Sequence, residues 1–304
     1  MQQLPASLTP TLPTTTAHLF TVDVEEHFQV SSFENYVPRS SWDGQPSRVA
    51  RNVEILLDLL ARHDSRGTFF TLGWVAAKHP DVVRRIASAG HEVASHGWWH
   101  TRVTMTTPDA FREDVRSSKR LLEDLCGQPV IGYRAPSFSI VPGREWALDT
   151  LIEEGYRYDS SLFPIHRSGY GYPGAPAVPH LIRRPSGTLY ELPPATTMLA
   201  GMRIPAAGGG YLRQFPFALI RRAFRQHADR GIPGMFYIHP WEVDPGQPRI
   251  AVPFLTRVRH YRGLTRSLPA MERLLDEFKF TSVAERFAGF ADPAIGSAWP
   301  FAPA

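Results

Sequence analysis

Short apolar runs alternate with amphipathic helical stretches along most of this chain, and that alternation is the tightest constraint on its fold. Leu19–Val24, Thr68–Leu72, Glu92–Ala94, Val130–Tyr133, Tyr156–Asp159 and Gly234–His239 read as strands. Between them, Val53–Arg62 carries Leu56, Leu57, Leu59 and Leu60 as an apolar stripe, and Asp81–Ala89 stops at Gly90. Pro108–Leu125 has Asp109 in its first turn and Gly127 beyond its end, Glu145–Glu154 stops at Gly155, and Met271–Phe278 ends the series. An acid in the first turn and a glycine after the last are start and stop signals with a physical basis in the helix dipole and the left-handed cap. Strand and helix in turn at this spacing predict parallel βα units, hence an α/β fold. The stretch 165–215 breaks the rhythm. It is rich in Pro and Gly, and Leu181–Arg184 and Thr188–Leu192 flank Ser186-Gly187 as in a hairpin, so it reads as an elaboration of the same domain.

The 304 residues are 43% hydrophobic, enough for a large core; the net charge of +4 is small for this length and no dense Lys/Arg block appears, which argues against a nucleic-acid partner. Arg221-Arg222-Ala223-Phe224-Arg225 is interleaved with apolar residues and reads as the wet face of a helix. The single cysteine, Cys126, excludes an intrachain disulfide. Residues 1–17 read as a disordered tail with neither the basic start nor the apolar centre of a secretion signal, and 291–304 as a loose tail, leaving 18–290 as the folded domain. No run of 18 apolar residues predicts a membrane span, so the expected compartment is the cytoplasm. The sequence carries no signal of oligomeric state.

In parallel α/β folds the reactive groups collect at the C-terminal ends of strands, and chemistry-bearing residues recur there. Asp23 and Glu25 end the first strand, where a period of two puts both on one face with Val24 turned away. His96 and His100 follow the third, four residues apart, a spacing at which one helical turn aims both at a single ion. Arg134 follows the fourth strand, Asp159 ends the fifth and His239 ends a late one. Two histidines and one carboxylate hold a divalent metal with positions left for water and substrate.

The stretches Phe20–Phe28 (FTVDVEEHF), Gly67–Gly73 (GTFFTLG), Gly90–His100 (GHEVASHGWWH), Gly132–Ser139 (GYRAPSFS), Tyr158–Leu162 (YDSSL), Gly208–Arg213 (GGGYLR) and Phe236–Pro245 (FYIHPWEVDP) together resemble the polysaccharide deacetylases of the carbohydrate esterase 4, or NodB homology, family. Within it they are similar to the branch found with exopolysaccharide and exosortase loci. The resemblance implies a distorted (β/α) barrel, with 165–215 at its mouth, and metal-dependent removal of acetyl groups from N-acetylhexosamine units of a glycan. It also implies roles: Asp23 as base, Arg134 as the partner of Asp23, Glu25, His96 and His100 as ligands of a divalent ion, zinc foremost, and His239 as general acid. Asp159 is implied as the carboxylate that orients His239, the Ser137 N–H as an oxyanion donor, and Tyr237 as the neighbour of the acetyl methyl.

Plainer readings stand beside these. Asp23 and Glu25 also fit strand-end caps, His96 and His100 an ordinary helical pair, and Arg134 a structural ion pair. Trp241 and Glu242 fit either a sugar-stacking wall or a core Trp and a surface Glu. His91 reads as a structural hydrogen-bonding residue and Gly208–Gly210 as a flexible turn at the rim. For the chain as a whole, hydrolysis of a smaller amide and a non-catalytic sugar-binding module are the alternatives to glycan deacetylation.

Overall fold

The computed structural model describes residues 16–167 and 169–288. The two expected tails, 1–17 and 291–304, lie almost wholly outside the described residues. Eleven strands are described: β1 (His18–Val24), β2 (Thr68–Thr71), β3 (Glu92–Ser95), β4 (Gly132–Tyr133), β5 (Tyr158–Asp159), β6 (His180–Arg184), β7 (Gly187–Glu191), β8 (Thr196–Leu199), β9 (Met202–Pro205), β10 (Met235–Ile238) and β11 (Phe280–Thr281). Nine of them form one sheet in the order β10-β1-β2-β3-β4-β5-β7-β6, with β11 added on β1; β8 and β9 pair as a separate hairpin. Every pairing from β10 to β7 is parallel, and β6 folds back antiparallel on β7 through Pro185-Ser186, one residue before the expected Ser186-Gly187, because Gly187 already pairs with Arg184.

The expected α/β architecture is present. Among the described residues the strand ladder does not close into a full barrel; beyond β7, Pro194 makes a single parallel bridge to Met235 on β10, and the Ala195 N–H donates to the Met235 carbonyl at 2.9 Å.

All seven residues of β1 are buried, polar ones included, because a parallel strand is covered on both faces. One face meets the helices; the other fills the barrel interior. The helix Pro108–Cys126 shows how local chemistry fixes the frame. Thr107 caps it by accepting from the Ala110 N–H at 3.3 Å, Pro108 opens it, and Gly127 closes it at φ 68°. Its buried Phe111, Val115 and Leu122 pack on the sheet side, while Asp114 reaches the loop after β3. Four described helices that periodicity did not single out, Gly73–Lys78, Gly209–Gln214, Phe254–Tyr261 and Val283–Arg286, lie between or after the expected elements. The arginine-rich stretch lies on Phe217–Asp229, with Ala223 and Phe224 buried and Arg222 and Arg225 exposed, as its interleaving suggests. No described helix is long and apolar enough to cross a membrane.

Candidate active site

Asp23 is the sixth residue of β1, and the chain continues extended to Glu25, so both carboxylates reach the same end of the barrel. Asp23 is buried, and its Oδ1 accepts from Arg134 Nη1 at 2.6 Å. Arg134 leaves β4 fully buried. Its guanidinium also donates to Thr21 Oγ1 at 2.9 Å and Ser160 Oγ at 2.9 Å and lies over the Phe70 ring at 4.1 Å. A guanidinium with no water around it is tolerable only with such a set of acceptors.

His96 and His100 do not share a helical turn. The chain after β3 is a bent loop, in which Gly97 (φ 74°) and His100 (φ 53°) take left-handed conformations. The cause is Asp114, which accepts from the Trp98 N–H at 2.8 Å and the Trp99 N–H at 3.2 Å and stands where a Cβ on residue 97 would lie, 2.6 Å away. Those bonds curl the loop so that both imidazoles still face Glu25. His96 Nδ1 donates to the Arg134 carbonyl at 2.7 Å, which turns Nε2 inward. Burial lowers the His96 pKa to about 4, keeping the ring in the neutral form a metal needs.

Glu25, His96 and His100 are all buried, and each offers one ligand atom within 4.8 Å of the others. Glu25 Oε2 lies 2.8 Å from His100 Nε2 yet makes no hydrogen bond of acceptable geometry and is an orphaned buried oxygen. Lone pairs of two groups aimed past one another at a common point are what a shared cation would satisfy, so this donor set fits a divalent ion. Burial pushes the Glu25 carboxyl up, but His100, His239 and His96 outweigh it and hold the pKa at about 2. The Trp241 indole donates to the other oxygen, Oε1, at 3.1 Å.

His239 follows β10, with Nε2 3.9 Å from Asp23 Oδ2 and 3.7 Å from Glu25 Oε1. Its Nδ1 meets Glu242 Oε2 at 2.9 Å, in a turn where the residue-239 N–H also donates to that carboxylate. Burial works against a charged imidazole here, yet Glu25, Glu242 and Asp23 raise the pKa to about 9, so the ring carries a proton. Glu242 is itself buried, 3.2 Å from Arg213 Nη2, giving a file Arg213–Glu242–His239.

Asp159 is not the carboxylate on His239. It is fully buried at the end of β5, accepts from Ser161 Oγ at 2.5 Å and the Ser161 N–H at 3.1 Å, and sits across the β5–β7 register from Glu191. Glu242, three residues beyond His239, reaches the imidazole first because the Pro240-led turn folds it back. Trp241 is equally not a free stacking wall. It is buried and stacks on His239 (5.0 Å, 18°) and on His260 (4.2 Å, 21°), so its faces are taken by imidazoles. Gly208 and Gly209 are tightly packed rather than a flexible turn, while Gly210 is not so confined. Gly208 holds φ 108° with space for a Cβ only 2.5 Å from the Tyr237 ring, and a Cβ on Gly209 would lie 2.3 Å from Glu242.

Asp23, Glu25, His96, His100 and His239 open onto one cavity of about 290 Å³, which Ser137 and Tyr237 also line. Ser137 (φ 54°) and Phe138 (φ 51°) are consecutive left-handed residues, backbone strain of the kind that clusters at functional sites. Tyr237 packs against Phe138 at 5.0 Å. His91, outside this cavity, accepts from the Gly67 N–H through Nδ1 at 3.1 Å, a structural bond. Sequence reasoning missed Arg213 and His260 as members of the site. Arg213 lies in a stretch already singled out, but its partner is 29 residues away; His260 has no local signal, since only tertiary packing sets it against Trp241.

Residues 40–145 match the polysaccharide deacetylase family, and residues 160–288 match a domain of unknown function (DUF3473). The chain is 36% identical over 113 residues to a chitooligosaccharide deacetylase of Rhizobium leguminosarum bv. trifolii, covering 37% of this chain and 48% of the relative. It is 27% identical over 137 residues to a peptidoglycan-N-acetylglucosamine deacetylase of Bacillus cereus, covering 41% and 49%. The chain thus spans about half the length of the curated relatives it matches. A Mycobacterium smegmatis crystal structure, provisionally described as a polysaccharide deacetylase, superposes over 100% of both chains with a TM-score of 0.64 at 20% identity, and Puue allantoinase over 96% and 99% with 0.59 at 17%. At that identity they establish the fold. The deacetylase span holds His96, His100 and Arg134, whereas Arg213, His239, Glu242 and His260 fall in the span without assigned function.

Proposed function

We propose that this chain, which carries a domain of the polysaccharide deacetylase family, hydrolyses the acetamide of N-acetylhexosamine units in a glycan or its precursor. The observation that carries the reading is the convergence of Glu25, His96 and His100, with Asp23 and a protonated His239 beside them. Two imidazoles and one carboxylate suit zinc first, though the same set accepts cobalt or nickel. A divalent ion bound there supplies Lewis acidity toward the acyl oxygen and makes water nucleophilic near neutral pH.

Asp23 takes the proton from the attacking water. Arg134 orients it and leaves its other oxygen free toward the cavity, since Oδ1 is already committed. His239 gives its proton to the departing amine, which is a poor leaving group without one. Glu242, held by Arg213, fixes the His239 ring and favours its charged form. The Ser137 N–H donates to the developing oxyanion, and Tyr237 bounds the acetyl pocket.

The test is acetate release from N-acetylglucosamine oligomers after chelation and after readdition of single ions. Release that returns with a divalent ion supports the reading. A fully loaded protein that frees no acetate from any oligosaccharide, or that hydrolyses only small amides, overturns it.

A further inference from the structure

Between Asp244 and Glu272 the chain holds no acidic residue but five arginines: Arg249, Arg257, Arg259, Arg262 and Arg266. The net charge of the whole chain is +4, so everything outside this stretch sums to −1 and the positive excess is local. All five are exposed. None makes an ion pair among the described residues, whereas the buried Arg213 pairs with Glu242 and nearby Arg221 and Arg273 both reach Glu277. The stretch also lies at the reaction centre. Its helix, Phe254–Tyr261, contributes Thr256, Arg259 and His260 to the wall of the catalytic cavity. From a second loop, Arg167 bridges through its backbone to the cavity-lining Tyr170, whose hydroxyl sits 3.1 Å from that of Tyr211.

Unpaired arginines on one rim of a cleft raise the local concentration of anions and match carboxylates through two N–H donors at once. A neutral glycan needs no such rim. We infer that the glycan is acidic, with carboxylate-bearing sugars flanking the N-acetylated unit and lying along Arg257, Arg259 and Arg262. This rests on the deacetylase reading for the identity of the reacting unit, but not for the charge.

Binding tests it without turnover. The full chain is titrated with three oligosaccharides of equal length: one alternating N-acetylglucosamine with glucuronate, the same with its carboxyls reduced to alcohols, and an N-acetylglucosamine homopolymer. The glucuronate form should bind about tenfold more tightly than its reduced form at low salt, a preference that salt erodes. The variant Arg257→Gln/Arg259→Gln/Arg262→Gln should lose that preference, and a thermal melt checks that it is folded. Equal affinity for the charged and reduced forms, or an undiminished preference in the variant, overturns the inference. So does arginine-dependent binding to phosphatidylglycerol vesicles without discrimination between the sugars, which would assign the rim, with its exposed Phe254 and Leu255, to a membrane surface. Discrimination without acetate release would sink the deacetylase reading alone.

Discussion

Arg134 shows how much a single side chain has to satisfy here. It is fully buried, donates to Asp23, Thr21 and Ser160, and lends its own carbonyl to His96. One residue therefore orients both the proton acceptor, through its side chain, and a metal-binding imidazole, through its backbone carbonyl. Substituting Asp23 separates the two. Asp23→Asn should keep the metal, because the Glu25–His96–His100 set is untouched, while kcat falls by about 10²–10⁴-fold, the usual contribution of a positioned base. Metal content and acetate release measured on the same sample decide it, and near-full activity would remove Asp23 from the role of base.

At the scale of elements, two short connections carry the chemistry. The Pro240-led turn after β10 brings Glu242 back onto His239, and the helix Gly209–Gln214 brings Arg213 onto Glu242. Glu242→Gln should lower kcat about 10- to 100-fold, part of what a general acid supplies, with KM little changed and the metal retained. A rate loss that tracks loss of metal instead would make Glu242 a merely structural residue. The β5–β7 pairing makes a different prediction. Burial raises Asp159 from its usual 3.8 to about 6 against the hydrogen bonds of Glu191 and Ser161, and burial together with the Asp159 charge raises Glu191 well above its usual 4.5. Above pH 3.8 the folded state therefore binds more protons than the unfolded one, and the pair's contribution to stability declines as pH rises through about 6 and beyond. Glu191→Gln, which keeps an acceptor for the Leu162 N–H, should flatten the fall of Tm with rising pH, gaining above neutrality and not in acid. Parallel Tm–pH curves for wild type and variant would contradict that account.

For the whole molecule, the cluster at Glu25, His96 and His100 joins β1 to the loop after β3, so an ion that binds only the folded chain must stabilise it globally. At a hundred times its Kd the gain is about 2.7 kcal/mol, visible as a rise in Tm that zinc should give wild type and His96→Ala should lack. The strand–helix alternation, the helix starts and stops at Asp109, Gly90, Gly127 and Gly155, and the collection of reactive residues at strand ends were all legible from the chain alone. Each depends on residues close in sequence, where backbone preference and a fixed period act. The loop that carries His96 and His100, the choice of Glu242 over Asp159 as partner of His239, and the enclosure of Trp241 between imidazoles were not legible. They are settled by Asp114, Arg213 and His260, which stand 16 to 29 residues away in the chain from Trp98, Glu242 and Trp241 and meet them only after the helices have packed. Local propensity dictates which elements form and where their ends point; which polar group reaches another first is decided by tertiary distance, because a buried donor or acceptor takes the partner the packed fold puts within about 3 Å.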